Sequence, residues 1–97
     1  MDMKFNLPER VFKDITIFAQ RHDVQKVVLF GSRARGTHTE KSDIDLAVSG
    51  GDLEAFYWDI KENVHSLLTF DIVENGGVSG NLKEEIERDG ITIYEKA

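Results

Sequence analysis

Two aspartates separated by one residue, Asp43 and Asp45, are the strongest chemical feature of the sequence. They lie in "DIDLAV", where the acidic side chains alternate with Ile44 and Leu46. A strand here would place both carboxylates on one face and both aliphatic side chains on the other. Carboxylates this close repel each other unless a cation lies between them, and Mg²⁺ prefers oxygen ligands. Taken alone, the pattern fits a strand with polar residues facing solvent equally well.

A third aspartate has a similar setting later in the chain. Asp71 lies in "TFDIV", between Phe70 and Ile72, which would point to the opposite face of a strand. A solvent-facing strand needs polar residues but does not require an acid, so Asp71 favours a shared cation site. The three aspartates are therefore our candidate metal ligands and catalytic residues.

The stretch "GSRARG" offers a candidate phosphate site. Gly31 follows the apolar run "KVVLF" and would let the backbone approach a ligand closely. N–H groups that open a helical turn at Ser32 would point outward and bind an anion. A lone glycine and serine are better explained as a tight turn, because such short motifs are common. Arg33 and Arg35 could also clamp phosphate, and of the two we select Arg35.

The elements that must position these residues form an α/β pattern. Apolar periodicity predicts helices from Pro8 to about His22 and from Leu53 to Leu68, the second with Asp52 as N-cap. A third helix is predicted to run through Asp89, with Asn81 and Glu84 as a capping box. Ser32 to about Arg35 is predicted to form a single helical turn. Short apolar runs predict strands at 26–30, 43–48, 69–73 and 91–94. Three carboxylates on neighbouring strands and a phosphate site at the end of another strand are what two-metal nucleotidyl transfer requires.

Composition restricts the class of partner. The 97 residues predict one domain spanning 1–97, and the net charge of −6 argues against strong binding to duplex nucleic acid. Because the chain has no cysteine, any metal must use oxygen or imidazole ligands. No stretch approaches the roughly 20 apolar residues of a membrane span, so we expect a cytoplasmic protein.

The motif "GSRARG" followed by "SDIDLAV" resembles the signature of the DNA polymerase beta nucleotidyltransferase superfamily. More narrowly, the chain is similar to minimal nucleotidyltransferase domains, often partners of HEPN proteins. The resemblance covers nearly the whole chain and implies a small mixed β-sheet of three to four strands with helices packed on it. It implies that Gly31 and Ser32 hold nucleotide phosphates, that Asp43 and Asp45 bind two Mg²⁺ ions, and that Asp71 is the third acid.

The activity implied by the resemblance is Mg²⁺-dependent transfer of a nucleoside monophosphate to an acceptor hydroxyl. We expect ATP to be the donor and AMP the group transferred. Because the chain carries no recognisable acceptor-binding appendage, we expect a partner protein such as a HEPN toxin to supply that hydroxyl. The alternative is a non-catalytic module that binds nucleotide or neutralises a partner by contact. The sequence leaves the oligomeric state open, a homo-oligomer included.

Several other residues receive simpler interpretations. Trp58 and Ile17 lie off the apolar faces of their helices and are candidate partner contacts, although isolated apolar residues are common on surfaces. His22 is interpreted as a packed or boundary histidine, and His38 lies in a polar loop from which it could reach a nucleotide. The stretch "LKEEIERDG" is interpreted as a solvated helix face without a functional role.

Overall fold

The computed structural model describes residues 3–4, 6–64 and 68–96. Its strands are β1 (Met3–Lys4), β2 (Leu7–Pro8), β3 (Lys26–Phe30), β4 (Ile44–Ser49), β5 (Phe70–Glu74) and β6 (Ile91–Glu95). Its helices are α1 (Glu9–Arg21), the single turn α2 (Ser32–Arg35), α3 (Leu53–Asn63) and α4 (Gly80–Asp89). The order matches the predicted one, with a short antiparallel β1–β2 pair added before α1.

Strands β3 to β6 form a mixed sheet in the order β5-β4-β3-β6. β3 is antiparallel to both β4 and β6, whereas β4 and β5 are parallel. The predicted α/β fold with a small mixed sheet is therefore confirmed. Asp45 of β4 lies opposite Phe30 of β3 on one side and Asp71 of β5 on the other. The register thus brings two of the candidate acids onto neighbouring strands.

The two faces of the sheet are covered unequally. Helices α1 and α3 pack on what we call the covered face, whose strand residues are Val27, Leu29, Ile44, Leu46 and Val48, each with no exposed surface. The alternate strand residues form the half-covered face: Val28, Phe30, Asp45, Ala47 and Asp71. Among the described residues, Ile86 of α4 packs on the apolar part of this second face, with Val73 and Val78 beside it. The candidate acids lie on the half-covered face.

Helix α3 is shorter than predicted. Asp52 caps it as expected, because its Oδ1 accepts a hydrogen bond from the N–H of Ala55 at 3.1 Å. The helix ends at Asn63, and Val64 adopts an extended backbone with φ −82° and ψ 114°. Val64 and Leu68 pack on the core from outside the helix, so their apolar spacing does not require a helix to Leu68. Leu67, which the prediction also placed in this helix, lies outside the described residues.

The predicted capping box of α4 is wrong. The N-cap is Ser79, which makes no side-chain capping bond, and the helix already includes Gly80. Asn81 therefore lies inside the first turn rather than before it, where it cannot act as the N-cap. The predicted end of the helix is confirmed, since the N–H of Gly90 bonds to the carbonyl of Ile86 at 2.9 Å.

Side chains at the outer surface of α1 and α3 also follow the prediction. Ile17 is 50% exposed and Trp58 is 53% exposed. His22, at the end of α1, is half-buried and its Nε2 contacts Oδ2 of Asp59 in α3, which agrees with a boundary histidine. That hydrogen bond is the main reason why the pKa of Asp59 lies below its usual value.

Within residues 3–4, 6–64 and 68–96, every helix is too short or too polar to cross a membrane.

Candidate active site

The turn after β3 brings backbone into contact with an acid. Gly31 adopts φ +76°, a left-handed conformation that favours glycine. A Cβ at Gly31 would overlap Oδ2 of Asp45, so any larger residue would displace that carboxylate. The carbonyl of Gly31 accepts hydrogen bonds from the N–H groups of Ala34 and Arg35, both at 3.1 Å, which closes the α2 turn. Of the predicted phosphate residues, Gly31 therefore lies directly beside Asp45, and Ser32 is the first residue of the α2 turn that follows.

Two of the three candidate acids, Asp45 and Asp71, lie on the half-covered face, and the third, Asp43, directly precedes β4. Asp45 and Asp71 are register partners in the parallel β4–β5 pair, while Asp43 is exposed and lies one residue before β4. Burial raises the pKa of Asp45 to about 6, and the negative charges of Asp71, Asp43 and Glu85 add to the rise. The site therefore holds clustered negative charge that disfavours the ionised form of its most buried carboxyl.

The two arginines of "GSRARG" have different environments. Arg35 is exposed, its Nη1 pairs with Oε2 of Glu85 at 3.2 Å, and its charge partly offsets the raised pKa of Asp45. Arg33 is only 1% exposed, and its guanidinium donates hydrogen bonds to backbone carbonyls. The guanidinium of Arg33 is thus occupied by hydrogen bonds to backbone carbonyls of this chain. Arg35 is the arginine that lies beside the acids.

Glu85 was missed by the sequence analysis. It belongs to the α4 stretch interpreted as a solvated face, yet it contacts Arg35 and lies close enough to Asp45 to raise the pKa of that carboxyl. The local pattern gives only the helical face of Glu85. Its place in the site depends on how α4 packs on the sheet, which no local signal encodes.

His38 lies in the loop between α2 and β4. Its Nδ1 is buried and has no hydrogen-bond partner in the described part of the chain. No hydrogen bond or ion pair joins His38 to the three acids or to Gly31 among the same residues, so its predicted reach to a nucleotide stays a prediction.

The donor set suits a divalent cation, although the side chains do not form a finished metal site. In residues 3–4, 6–64 and 68–96, no three acidic or histidine side chains stand close enough together to hold a metal ion as they are arranged. Asp45 and Asp71 nevertheless lie in register on one face, and burial of Asp45, together with the negative charges of Asp71 and Asp43, raises the pKa of Asp45. A hard divalent cation takes oxygen ligands and would relieve this repulsion. The three aspartates therefore provide the type of ligand atom, carboxylate oxygen, that Mg²⁺ prefers.

Comparison with known proteins decides the family. The sequence profile described as "Polymerase beta, Nucleotidyltransferase" matches residues 13–97. The chain belongs to this nucleotidyltransferase family. A Methanocaldococcus jannaschii protein, MJ0128, named as a candidate protein adenylyltransferase, is 30% identical over 82 residues, spanning 79% of this chain and 84% of the relative. The chain is therefore a nucleotidyltransferase enzyme of the minimal type.

Solved structures of this nucleotidyltransferase fold include toxin–antitoxin complexes. One chain of a toxin–antitoxin complex with AMP-PNP matches with a TM-score of 0.68 and 25% identity, over 88% of this chain and 73% of that chain. A Shewanella oneidensis complex, in which a tri-AMPylated HEPN toxin is bound to an MNT antitoxin, matches with a TM-score of 0.62 and 21% identity over 91% and 72% of the two chains. The match to the Shewanella oneidensis chain shows that the two chains share a fold.

Proposed function

We propose that this nucleotidyltransferase transfers AMP from ATP to a hydroxyl of a partner protein, with a HEPN toxin as the partner. The observation that carries the proposal is the contact between the Gly31 turn and Asp45, which lies in register with Asp71. A phosphate site and clustered carboxylates on one open face are the parts that in-line nucleotidyl transfer needs.

The proposed roles follow from position. Gly31 and Ser32 would hold the triphosphate, with Arg35 released from Glu85 to add a cation. Asp43 and Asp45 would hold two Mg²⁺ ions, which supply charge neutralisation for the triphosphate and the leaving pyrophosphate.

The transfer step exchanges one phosphorus–oxygen bond for another. The acceptor oxygen forms a bond to the α-phosphorus, the bond to the β-phosphate oxygen breaks, and pyrophosphate leaves. Asp71 would be the third carboxylate of the metal site and would favour loss of the proton of the acceptor hydroxyl, which passes to water.

A protein acceptor is supported by the comparisons. MJ0128 is named as a candidate protein adenylyltransferase, one structural neighbour is a toxin–antitoxin complex with AMP-PNP, and in another the HEPN toxin is tri-AMPylated. The exposed Trp58 offers this chain a surface on which a partner could dock.

Nucleotide binding can be tested separately from transfer. A triphosphate and three carboxylates in one site repel without a cation, so we expect ATP affinity measured by calorimetry to fall when EDTA removes divalent ions. Ser32→Ala should weaken ATP binding by about 1–3 kcal/mol, the scale of a lost hydrogen bond to a charged group. Thr37→Ala, in the exposed loop that follows, is the matched control. Equal ATP affinity with and without EDTA would argue against the two-metal site.

Transfer is tested by mass spectrometry of a HEPN protein purified with this chain and incubated with ATP and Mg²⁺. We expect AMP adducts on the HEPN protein with the wild-type chain and none with the Asp43→Asn, Asp45→Asn double variant. Glu62→Gln, which neutralises an exposed acid on α3, is the control and should leave the adducts in place. A tight complex without adducts would instead favour the non-catalytic binding module.

A further inference from the structure

We propose that Arg33 is a positioning residue, which fixes the loop that carries Asp43 so that Asp43 and Asp45 can share a metal site. The proposal deepens the function proposed above and rests on it for the role of the metal. The mechanical part, that Arg33 holds this loop in place, stands on the structure of the loop alone.

Asp43 needs support from outside the sheet. β4 begins at Ile44, whose N–H bonds to the carbonyl of Thr69, the residue before β5, at 2.9 Å. Asp43 lies before that bond, at the end of a loop (36–43) with no regular secondary structure. The position of the Asp43 carboxylate is therefore set by the loop rather than by the strand ladder.

The Arg33 side chain provides this support with all three of its nitrogen atoms. Nε donates to the carbonyl of Ser42 at 3.1 Å, immediately before Asp43, and Nη2 donates to the carbonyl of Glu40 at 3.2 Å. Nη1 donates in the other direction, to the carbonyl of Asn6 at 2.8 Å. One buried guanidinium thus joins the loop to the segment between β1 and β2.

The contact with Asn6 is reciprocal. The Asn6 Nδ2 donates to the backbone carbonyl of Arg33 at 2.6 Å, and Asn6 adopts φ +58°, the left-handed conformation that asparagine tolerates better than most residues. Asn6 therefore contacts Arg33 of the α2 turn twice, once at its backbone carbonyl and once at its guanidinium.

The chemistry of the contact explains why an arginine is present. In the described part of the chain, no carboxylate lies within ion-pair distance of Arg33, so its charge is satisfied by carbonyl dipoles alone. Burying a cation without a paired anion costs free energy, so an apolar side chain would be the simpler solution if only packing were required. A planar fork of donors can reach three separate carbonyls at once, whereas a lysine ammonium presents its donors at one point.

The test compares Arg33→Lys with Arg10→Lys, which makes the same change at an exposed arginine of α1. Hydrogen exchange should show faster exchange, by about tenfold or more, for the amides of residues 39–44 in Arg33→Lys, with the β3 amides unchanged. Calorimetry with ATP should show that the Mg²⁺ concentration needed for half-maximal binding rises about 10- to 100-fold, as when an outer partner of a metal ligand is removed. Arg10→Lys should change neither quantity.

A second variant covers the case in which Arg33→Lys does not fold. Asn6→Gly keeps the left-handed backbone and removes the Nδ2 bond to Arg33, so it should change both measurements in the same direction by a smaller factor. Wild-type loop exchange and Mg²⁺ requirement in the folded variants would overturn the proposal, as would a uniform rise in exchange over the whole chain. If wild-type ATP binding does not depend on metal, the proposed function fails, and the loop exchange alone decides the role of Arg33.

Discussion

The two faces of the sheet use the same strands for opposite purposes. On β4, Ile44, Leu46 and Val48 are completely buried on the covered face. One residue away, Asp45 belongs to the half-covered face, where it lies beside the Gly31 turn. The covered face gains stability from apolar burial, whereas the half-covered face gathers like charges that oppose folding. The comparison shows that the two-residue alternation of a strand is enough to place the candidate site one backbone layer from the core.

The largest expected effect concerns the acid on the edge of the half-covered face. Asp71→Asn keeps the shape of the side chain but removes the charge that would favour ionisation of the acceptor hydroxyl. Turnover should fall by about 10² to 10⁴, the range that a positioned acid–base group contributes, while ATP affinity changes little. Glu74→Gln neutralises another exposed acid of β5 and should leave turnover unchanged. Full transferase activity of Asp71→Asn would show that Asp71 is only a polar strand residue.

The covered face should respond in stability instead of activity. Phe56 of α3 is completely buried, so Phe56→Ala should lower the free energy of unfolding by about 3–5 kcal/mol, through lost burial and the cavity left behind. Leu82→Ala, at a residue 36% exposed on α4, should cost less than about 0.5 kcal/mol. Urea denaturation measures both values. Similar losses of unfolding free energy for the two variants would contradict the assignment of stability to the covered face.

A smaller effect is expected from pH in the metal-free protein. The pKa of Asp45 rises from its ordinary 3.8 to about 6 on folding, so the folded state binds a proton more tightly than the unfolded state. The contribution of Asp45 to stability is therefore fully present below about pH 4 and is lost as pH rises through about 6; because solvent screens this partly buried carboxyl, the loss is about 1–2 kcal/mol. Asp45→Asn should remove this pH dependence from urea denaturation curves. A variant with the wild-type profile would assign the slope to another group.

The smallest change in stability is expected at the outer surface of α3. Trp58 lies away from both faces of the sheet, so Trp58→Ala should change the free energy of unfolding by less than about 0.5 kcal/mol. If Trp58 anchors the partner, the same variant should no longer elute with a HEPN protein in size-exclusion chromatography. Ile17→Ala tests the neighbouring helix in the same way. An unchanged complex with Trp58→Ala would remove Trp58 from the interface.

Features encoded by local periodicity were predictable from the sequence. The alternation in "DIDLAV" places Asp45 opposite the apolar face of β4, and the glycine after "KVVLF" marks the turn that meets it. The end of α3 was not predictable, because Val64 and Leu68 satisfy the apolar pattern from a segment that is not helical.

Contacts between distant segments were also beyond the sequence. The burial of Arg33 depends on the backbone carbonyls of Asn6, Glu40 and Ser42, and the residue type does not indicate which backbone carbonyls will be contacted. Glu85 joins the site only through the packing of α4. The acid cluster itself was predictable as a set of residues, but the roles of those residues remain predictions that activity measurements must test.

The parallel pairing of β4 with β5 has a consequence for how the protein folds. β3 and β4 pair in an antiparallel manner across one loop, whereas β5 reaches its place beside β4 only after the crossover through α3. Chain closure over longer separations is slower, so we expect the β3–β4 pair to form first and β5 to dock afterwards. Asp71 then joins the other two acids only after the β3–β4 pair has formed. Pulse-labelled hydrogen exchange should show the β5 amides gaining protection after those of β3; simultaneous protection would contradict this order.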